Sequence, residues 1–158
     1  MIKTDLSELK TALRPGQRLI GVDLGEKTIG LALSDTLLTI ATPFRTLKRG
    51  KFAADAGVLG ALIAEHGVGG LIIGLPLNMD GSEGPSAQSA RAFARNFAKV
   101  SDCALAFMDE RLSTAAVTRT LIEADASRRR RSEVVDKMAA AYILQAALDR
   151  LRHLPPPP

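Results

Sequence analysis

The chain has 158 residues, of which 46% are hydrophobic and 24% are charged, the balance of an ordinary soluble globular domain. Its length suffices for one self-contained core without covalent cross-links. The single cysteine, Cys103, excludes a scaffold held by internal disulfides and is typical of a reducing compartment. No secretory leader is recognisable, and no apolar run approaches the ~18 residues that span a bilayer. We therefore expect one cytoplasmic domain over residues 1–154, followed by a disordered proline tail at 155–158.

Positive charge is concentrated in one stretch. Lys and Arg number 21 against 17 Asp and Glu, a net charge of +4. Four consecutive arginines, Arg128, Arg129, Arg130 and Arg131, are followed downstream by Lys137. Their mutual repulsion would be neutralised by a bound polyanion, and a solvated loop explains the run equally well. Since aromatic residues make up only 4%, any nucleic-acid contact is expected to favour backbone phosphates over stacked bases.

Helices and strands are predicted to alternate along the chain. The predicted order is helix 4–13, strands 18–24, 29–34 and 37–41, helix 52–66, strand 71–75, polar loop 77–85, a helix around 90–97, strand 104–108, helix 113–124, loop 125–131 and helix 132–151. Thr4, Ser113 and Ser132 are candidate helix caps, and Pro43 is expected to stop the third strand. A three-strand antiparallel meander followed by two crossover strands predicts an α/β fold, with a five-stranded mixed sheet flanked by helices.

Two carboxylates stand where apolar strands end. Asp23 interrupts an apolar strand just before a turn, and Glu110 follows a buried strand on the side predicted for Ala106 and Met108. The position of Asp23 is also explained if its side chain hydrogen-bonds the backbone of the turn. The positions of Asp109 and Glu110 are also explained if both lie in solvent and one of them pairs with Arg111. Both positions are therefore consistent with either a structural or a chemical role.

Asp136 occupies the apolar face of the last predicted helix. The residues predicted to share its face are Ala139, Ala140, Ile143 and Ala147. A carboxylate on such a face must be paired, protonated or bound to a cation. The alternative is that Asp136, near the helix N-terminus, gains from the helix dipole and pairs with Arg131 or Lys137. A carboxylate with that role is expected on the polar face of the helix.

The three acids are predicted to meet at one edge of the sheet. Parallel strands bring their carboxyl ends together, and the last helix is able to pass over them. Asp23, Glu110 and Asp136 would repel one another unless a divalent cation lay between them. Oxygen ligands favour Mg²⁺ or Mn²⁺, and two such ions would hold the attacking and leaving oxygens of a phosphodiester.

Four blocks of the chain resemble the YqgF/RuvX family. Residues 23–35, 75–82, 109–114 and 135–140 are similar, in this order, to the family's motifs. The resemblance implies a ribonuclease H-like fold and a metal-dependent nuclease that matures the 5′ end of the 16S ribosomal RNA precursor. It also implies that Asp23, Glu110 and Asp136 are the catalytic, metal-binding triad.

Substrate contacts are expected around this triad. Asn78, Gly81 and Thr114 lie in blocks that match the family, although Gly81 is equally well explained as a turn residue. Arg128–Arg131 and Lys137 are the candidate phosphate contacts because of their charge and their position beside Asp136.

The sequence is also compatible with other functions. Some members of the family are described as Holliday-junction resolvases, which would act on branched DNA with the same site and require two sites in one complex. A non-catalytic RNA-binding module would need neither the carboxylates nor a metal. An actin-like phosphotransferase shares a similar aspartate–glycine loop, but that fold needs two such domains. The sequence is compatible with a monomer or a homodimer.

Overall fold

The structure, a computed structural model, describes residue 2 and residues 5–112 and 128–154, with side chains at these positions except 112 and 128–135. The elements are α1 (Leu6–Ala12), β1 (Arg18–Leu24), β2 (Thr28–Ser34), β3 (Ala41–Lys48), α2 (Phe52–His66), β4 (Val68–Leu75), α3 (Pro85–Val100), β5 (Ala104–Asp109), a 3₁₀ turn (Glu110–Leu112) and α4 (Arg128–Arg152). The predicted helix 113–124, the Thr4 and Ser113 caps and the tail at 155–158 lie outside the described residues.

The five strands form one mixed sheet in the order β3-β2-β1-β4-β5. The first three are antiparallel neighbours, whereas β1, β4 and β5 run parallel to one another. This arrangement confirms the predicted meander with two crossover strands. The carboxyl ends of β1, β4 and β5 consequently lie at the same edge, which is called the carboxyl edge below.

Helices cover both faces of the sheet. On one face α1 and α4 pack against alternate residues of the strands, such as Leu19, Ala32 and Ile72. On the other face α2 and α3 pack against the intervening residues, such as Ile20 and Ile73. Each central strand is thus buried on both sides, which explains its nearly continuous apolar sequence. Within the described ranges, no helix has the length and apolarity needed to cross a membrane.

The third strand differs from the prediction. β3 runs over Ala41–Lys48 and includes Pro43, so the strand predicted at 37–41 was wrong. Proline is tolerated because β3 is an edge strand, where a missing N–H removes few ladder bonds. The pairing with β2 also shifts here: Ala32 is opposite Pro43 and Leu31 is opposite Arg45, which leaves Phe44 as the extra residue of a bulge.

The last helix begins earlier than predicted. α4 starts at Arg128. The loop expected over 125–131 is therefore wrong at 128–131, and the cap expected at Ser132 is wrong because Ser132 lies within the helix. Arginine has a high intrinsic helix propensity, and a run of like charges does not prevent helix formation. At the other end of the chain, α1 is capped by Asp5, whose carboxylate accepts a hydrogen bond from the backbone N–H of Glu8 at 3.0 Å.

Candidate active site

Asp23 lies near the end of β1 and is 4% exposed. In the antiparallel ladder it pairs with Gly30 of β2. On its other side, the parallel register pairs Val22 with Ile73, so the next residues along these strands are Asp23 and Gly74. Asp23 therefore occupies the middle of a row whose two neighbours have no side chain.

Asp136 is held directly over this row by α4. A Cβ atom built on Gly30 would lie 2.1 Å from the backbone carbonyl oxygen of Asp136, which shows that the helix rests on the glycine backbone. A Cβ atom on Gly25, in the β1–β2 turn, would lie 3.7 Å from Oδ2 of Asp136. The carboxylate consequently faces the turn that follows Asp23.

The apolar face predicted for this helix is confirmed. Its four members are buried against the sheet: Ala139, Ala140, Ile143 and Ala147. The three alanines and Gly21 of β1 permit close packing, since a Cβ atom on Gly21 would meet the carbonyl oxygen of Ala140 at 2.7 Å. The position of Asp136 thus depends on how closely α4 approaches β1 and β2.

Glu110 covers the other end of the row. It directly follows β5, and its Cγ and Cδ atoms lie 3.3 Å from the position of a Cβ atom on Gly74. Its side chain is therefore on the α4 face, as strand alternation predicts. The neighbouring Asp109 has a different partner, because the guanidinium of Arg111 donates to its carboxylate at 2.7 Å. This ion pair lowers the pKa of Asp109, with the Arg111 hydrogen bond as its main cause.

The fold thus brings the three acids to one face at the carboxyl edge. The row Gly30–Asp23–Gly74 places a buried carboxylate between two glycines; the backbone of Asp136 lies over Gly30, and the side chains of Ile143 and Glu110 lie over Gly74. An all-oxygen donor set of this kind suits Mg²⁺ or Mn²⁺. In their present rotamers, however, no three or more Asp, Glu, His or Cys side chains of the described residues form a group spaced to hold a metal ion.

Arg49 supports the β1–β2 turn, a role that the sequence did not indicate. Its guanidinium donates to the carbonyl oxygen of Gly25 at 2.8 Å and to Oγ of Ser89 in α3 at 3.1 Å. Its backbone N–H donates to the carbonyl oxygen of Lys27 at 2.8 Å. Arg49 therefore connects the turn beside Asp136 to a helix on the opposite face of the sheet.

The loop between β4 and α3 forms a small hairpin at the same edge. Leu77 bridges to Glu83, and the amide of Asn78 donates to Oγ of Ser82 at 2.9 Å. Gly81 has a positive φ of 87°, so it is a turn residue in the structure. Asn78 and Gly81 shape this hairpin, and a contact between them and substrate stays a prediction.

The predicted basic contacts lie at the start of α4. Arg128–Arg131 form its first turn, and Lys137, which is half-buried, follows Asp136 directly. Thr114 lies outside the described residues.

Comparison with solved structures defines the class of the fold. RuvC from T. thermophilus, solved in complex with a Holliday junction substrate, superposes with a TM-score of 0.54 at 11% sequence identity, covering 87% of this chain and 97% of that chain. Together with the sheet order, this likeness identifies the ribonuclease H-like fold, as predicted.

The chain belongs to the RuvX family, whose model is described as a Holliday junction resolvase and matches residues 17–150. A relative from Paramagnetospirillum magneticum is 63% identical over 143 residues, which cover 90% of this chain and 92% of that protein. A relative from Jannaschia sp. is 61% identical, with 98% of both chains covered. Both relatives are named as pre-16S rRNA nucleases. The resemblance that the four sequence blocks indicated is thereby confirmed.

Proposed function

We propose that this protein is a metal-dependent nuclease that hydrolyses phosphodiester bonds, and that it matures the 5′ end of the 16S ribosomal RNA precursor in the cytoplasm. The observation that carries the proposal is the buried Asp23 between Gly30 and Gly74, with Asp136 over one glycine and Glu110 over the other. The names of the relatives, which share more than half of their residues with this chain, support the choice of substrate.

Asp23, Glu110 and Asp136 would hold the divalent cation through their carboxylate oxygens. When bound, the ion supplies a hydroxide-like nucleophile from water and neutralises charge on the phosphate. Because the three side chains do not form a metal group as they stand, their carboxylates must turn toward one another on binding. Glu110 has the longest side chain of the three and lies on a single 3₁₀ turn, so it is the acid best able to move.

The other residues would fix and orient the two reactants. β1 and its neighbours hold Asp23 in a dry environment, where its charge interacts strongly with a cation or phosphate. Arg49 keeps the turn at Gly25 in place beside Asp136. The basic residues at the start of α4 would hold backbone phosphates, an interaction that weakens as salt is raised.

Cleavage of precursor RNA by purified variants tests the proposal. Asp23→Asn keeps the size of the side chain but removes its charge, and we expect cleavage of a 5′-extended 16S precursor fragment in Mg²⁺ to fall at least about a hundredfold. Asp102→Asn is the matched control, since Asp102 is exposed and precedes β5 at the opposite edge of the sheet. Undiminished, Mg²⁺-stimulated cleavage by Asp23→Asn would overturn the proposal. A non-catalytic RNA-binding module predicts that Asp136→Asn keeps both binding and function.

Resolution of branched DNA is the second candidate, because the family model that matches the chain is described as a Holliday junction resolvase. Competition between a four-way DNA junction and precursor RNA at one stated salt concentration distinguishes the two substrates. Symmetric cleavage of the junction also requires two sites in one complex. A protein that stays monomeric on the junction during analytical ultracentrifugation would exclude this second function.

A further inference from the structure

An exposed methionine stands in the hairpin between β4 and α3, at the carboxyl edge of the sheet. Met79 is 92% exposed, the highest value among the large hydrophobic residues that the structure describes as exposed. The others lie elsewhere: Leu37 and Ile40 in the β2–β3 connection at the opposite edge, Val58 within α2, and Val100 at the end of α3. An apolar side chain this exposed is available to contact a ligand, and its burial on binding would remove apolar surface from water.

Hydrogen bonds hold the hairpin that carries Met79 on both sides of that residue. The backbone N–H of Asn78 donates to the carbonyl oxygen of Ser82 at 2.9 Å, and that of Gly81 donates to the carbonyl oxygen of Asn78 at 2.8 Å. The carboxylate of Asp80 accepts from both the backbone N–H and the hydroxyl of Ser82, at 2.9 and 2.6 Å. These bonds fix the backbone on either side of Met79, so little conformational entropy would be lost when its side chain met a ligand.

Arg111 connects this hairpin to the acid-bearing end of β5. Its guanidinium donates to the carbonyl oxygen of Met79 at 3.3 Å while its other nitrogens bind the carboxylate of Asp109. Arg111 also follows Glu110 directly in the chain. The tip of the hairpin is therefore held at a fixed place relative to one member of the proposed triad.

We propose that Met79 is a wedge that inserts between two stacked bases of the nucleic acid next to the phosphate that is cut. The proposal rests on the nuclease function proposed above and adds a residue that prepares the substrate. Apolar side chains on rigid supports unstack base steps in this way, at a cost of a few kcal/mol per step that other contacts offset.

The surroundings of Met79 favour a base step over an apolar protein surface as its ligand. The neighbouring side chains Asn78, Asp80 and Ser82 are polar, so the hairpin presents one apolar group and not a patch. Protein interfaces of useful affinity need a much larger contiguous area. A single flexible, polarisable side chain matches the gap between two adjacent bases.

Fluorescence of 2-aminopurine provides the test. The probe is placed at successive positions across the cut site of the precursor RNA fragment, in Ca²⁺ so that binding is followed without rapid turnover. We expect the native protein to raise the fluorescence at one step beside the cut. Met79→Ala should remove most of that rise and slow cleavage in Mg²⁺ about tenfold. Met79→Leu should retain both, as should Leu37→Ala, the matched exposed residue at the opposite edge.

Each outcome bears on one proposal. An unchanged fluorescence rise in Met79→Ala, or no rise at any position with the native protein, would overturn the wedge. Asp23→Asn should keep the rise while losing cleavage. If Asp23→Asn instead cleaves normally, the nuclease proposal fails while the fluorescence result for Met79 still stands. Because Met79 is exposed, urea unfolding of its variants should match that of the native protein.

Discussion

Gly30 of β2 lies directly against the backbone of Asp136 in α4, with only 2.1 Å between the position of its absent Cβ atom and the carbonyl oxygen of Asp136. The same glycine pairs with Asp23 across the β1–β2 ladder. One residue without a side chain thus sets the spacing between two of the three proposed catalytic acids, which are far apart in the sequence.

Replacing Gly30 with alanine should therefore destabilise the protein and displace the start of α4. The added methyl group would clash with backbone, which has no rotamer by which to move away, so we expect a loss of about 1–3 kcal/mol or more in the free energy of unfolding. Gly60→Ala in α2 is the control, because nothing lies within 4 Å of its added Cβ atom. That change should stabilise the helix by roughly 0.5–1 kcal/mol. Urea unfolding measures both, and equal effects would contradict the packing described for Gly30.

Mg²⁺ should raise the melting temperature of the native protein. If the three carboxylates take up the ion, its binding energy adds to stability, by about 2.7 kcal/mol at a hundredfold excess over Kd. Asp23→Asn and Glu110→Gln should lose most of this shift. Asp109→Asn should keep it, since Asp109 pairs with Arg111 instead. Differential scanning calorimetry with and without Mg²⁺ measures the change in melting temperature. An equal change in the native protein and in all three variants would argue against this ligand set.

Arg49 should act as a positioning residue. Arg49→Lys keeps the charge but cannot make the same pair of hydrogen bonds to Gly25 and Ser89, so the turn beside Asp136 should loosen. We expect the Mg²⁺ concentration for half-maximal cleavage to rise about tenfold, consistent with the loss of a charge-assisted bond. Lys27→Ala is a control on the same turn, because the hydrogen bond with Arg49 uses the backbone carbonyl oxygen of Lys27. An unchanged Mg²⁺ dependence in Arg49→Lys would refute this role.

Asp35 should make the stability of the β2–β3 connection depend on pH. The hydroxyl of Thr39, followed by the backbone N–H of Ile40, lowers the pKa of Asp35 from 3.8 to about 2. A lowered pKa stabilises the fold above pH 3.8, and that contribution disappears as the pH falls toward 2. Asp35→Asn should thus lower the melting temperature at pH 7, and the difference from the native protein should shrink between pH 4 and pH 2. Thr39→Val should reproduce part of the effect, whereas a difference independent of pH would contradict it.

Elements with strong local signals were predicted well from the sequence. The bounds of β1 and α2 match the prediction, because an apolar run flanked by turn residues and a helical apolar repeat are both local patterns. Pro43 was misjudged since its effect depends on whether the strand lies at an edge and on the bulge beside it, which only the assembled sheet determines. The arginine run was misjudged because charge was weighed above helix propensity.

The acids of the candidate site were easier to find than the residues that hold them. Asp23 and Asp136 stand out as charges in apolar surroundings, which one sequence is enough to show. Arg49 and Arg111 look like ordinary surface cations. Their roles depend on contacts with Gly25 and Met79, 24 and 32 residues away in the chain, and no local pattern encodes such contacts.

Pro43 and the bulge at Phe44 have a consequence for how copies of this protein behave at high concentration. A free sheet margin is a template onto which another polypeptide can add in an extended form and start aggregation. β3 disfavours the addition of another strand for three reasons. Pro43 has no N–H to donate, and the bulge interrupts the regular hydrogen-bonding pattern. Arg45 and Lys48 would also repel the β3 strand of a second copy. The irregularity that obscured this strand in the sequence thus makes it a poor template for such pairing.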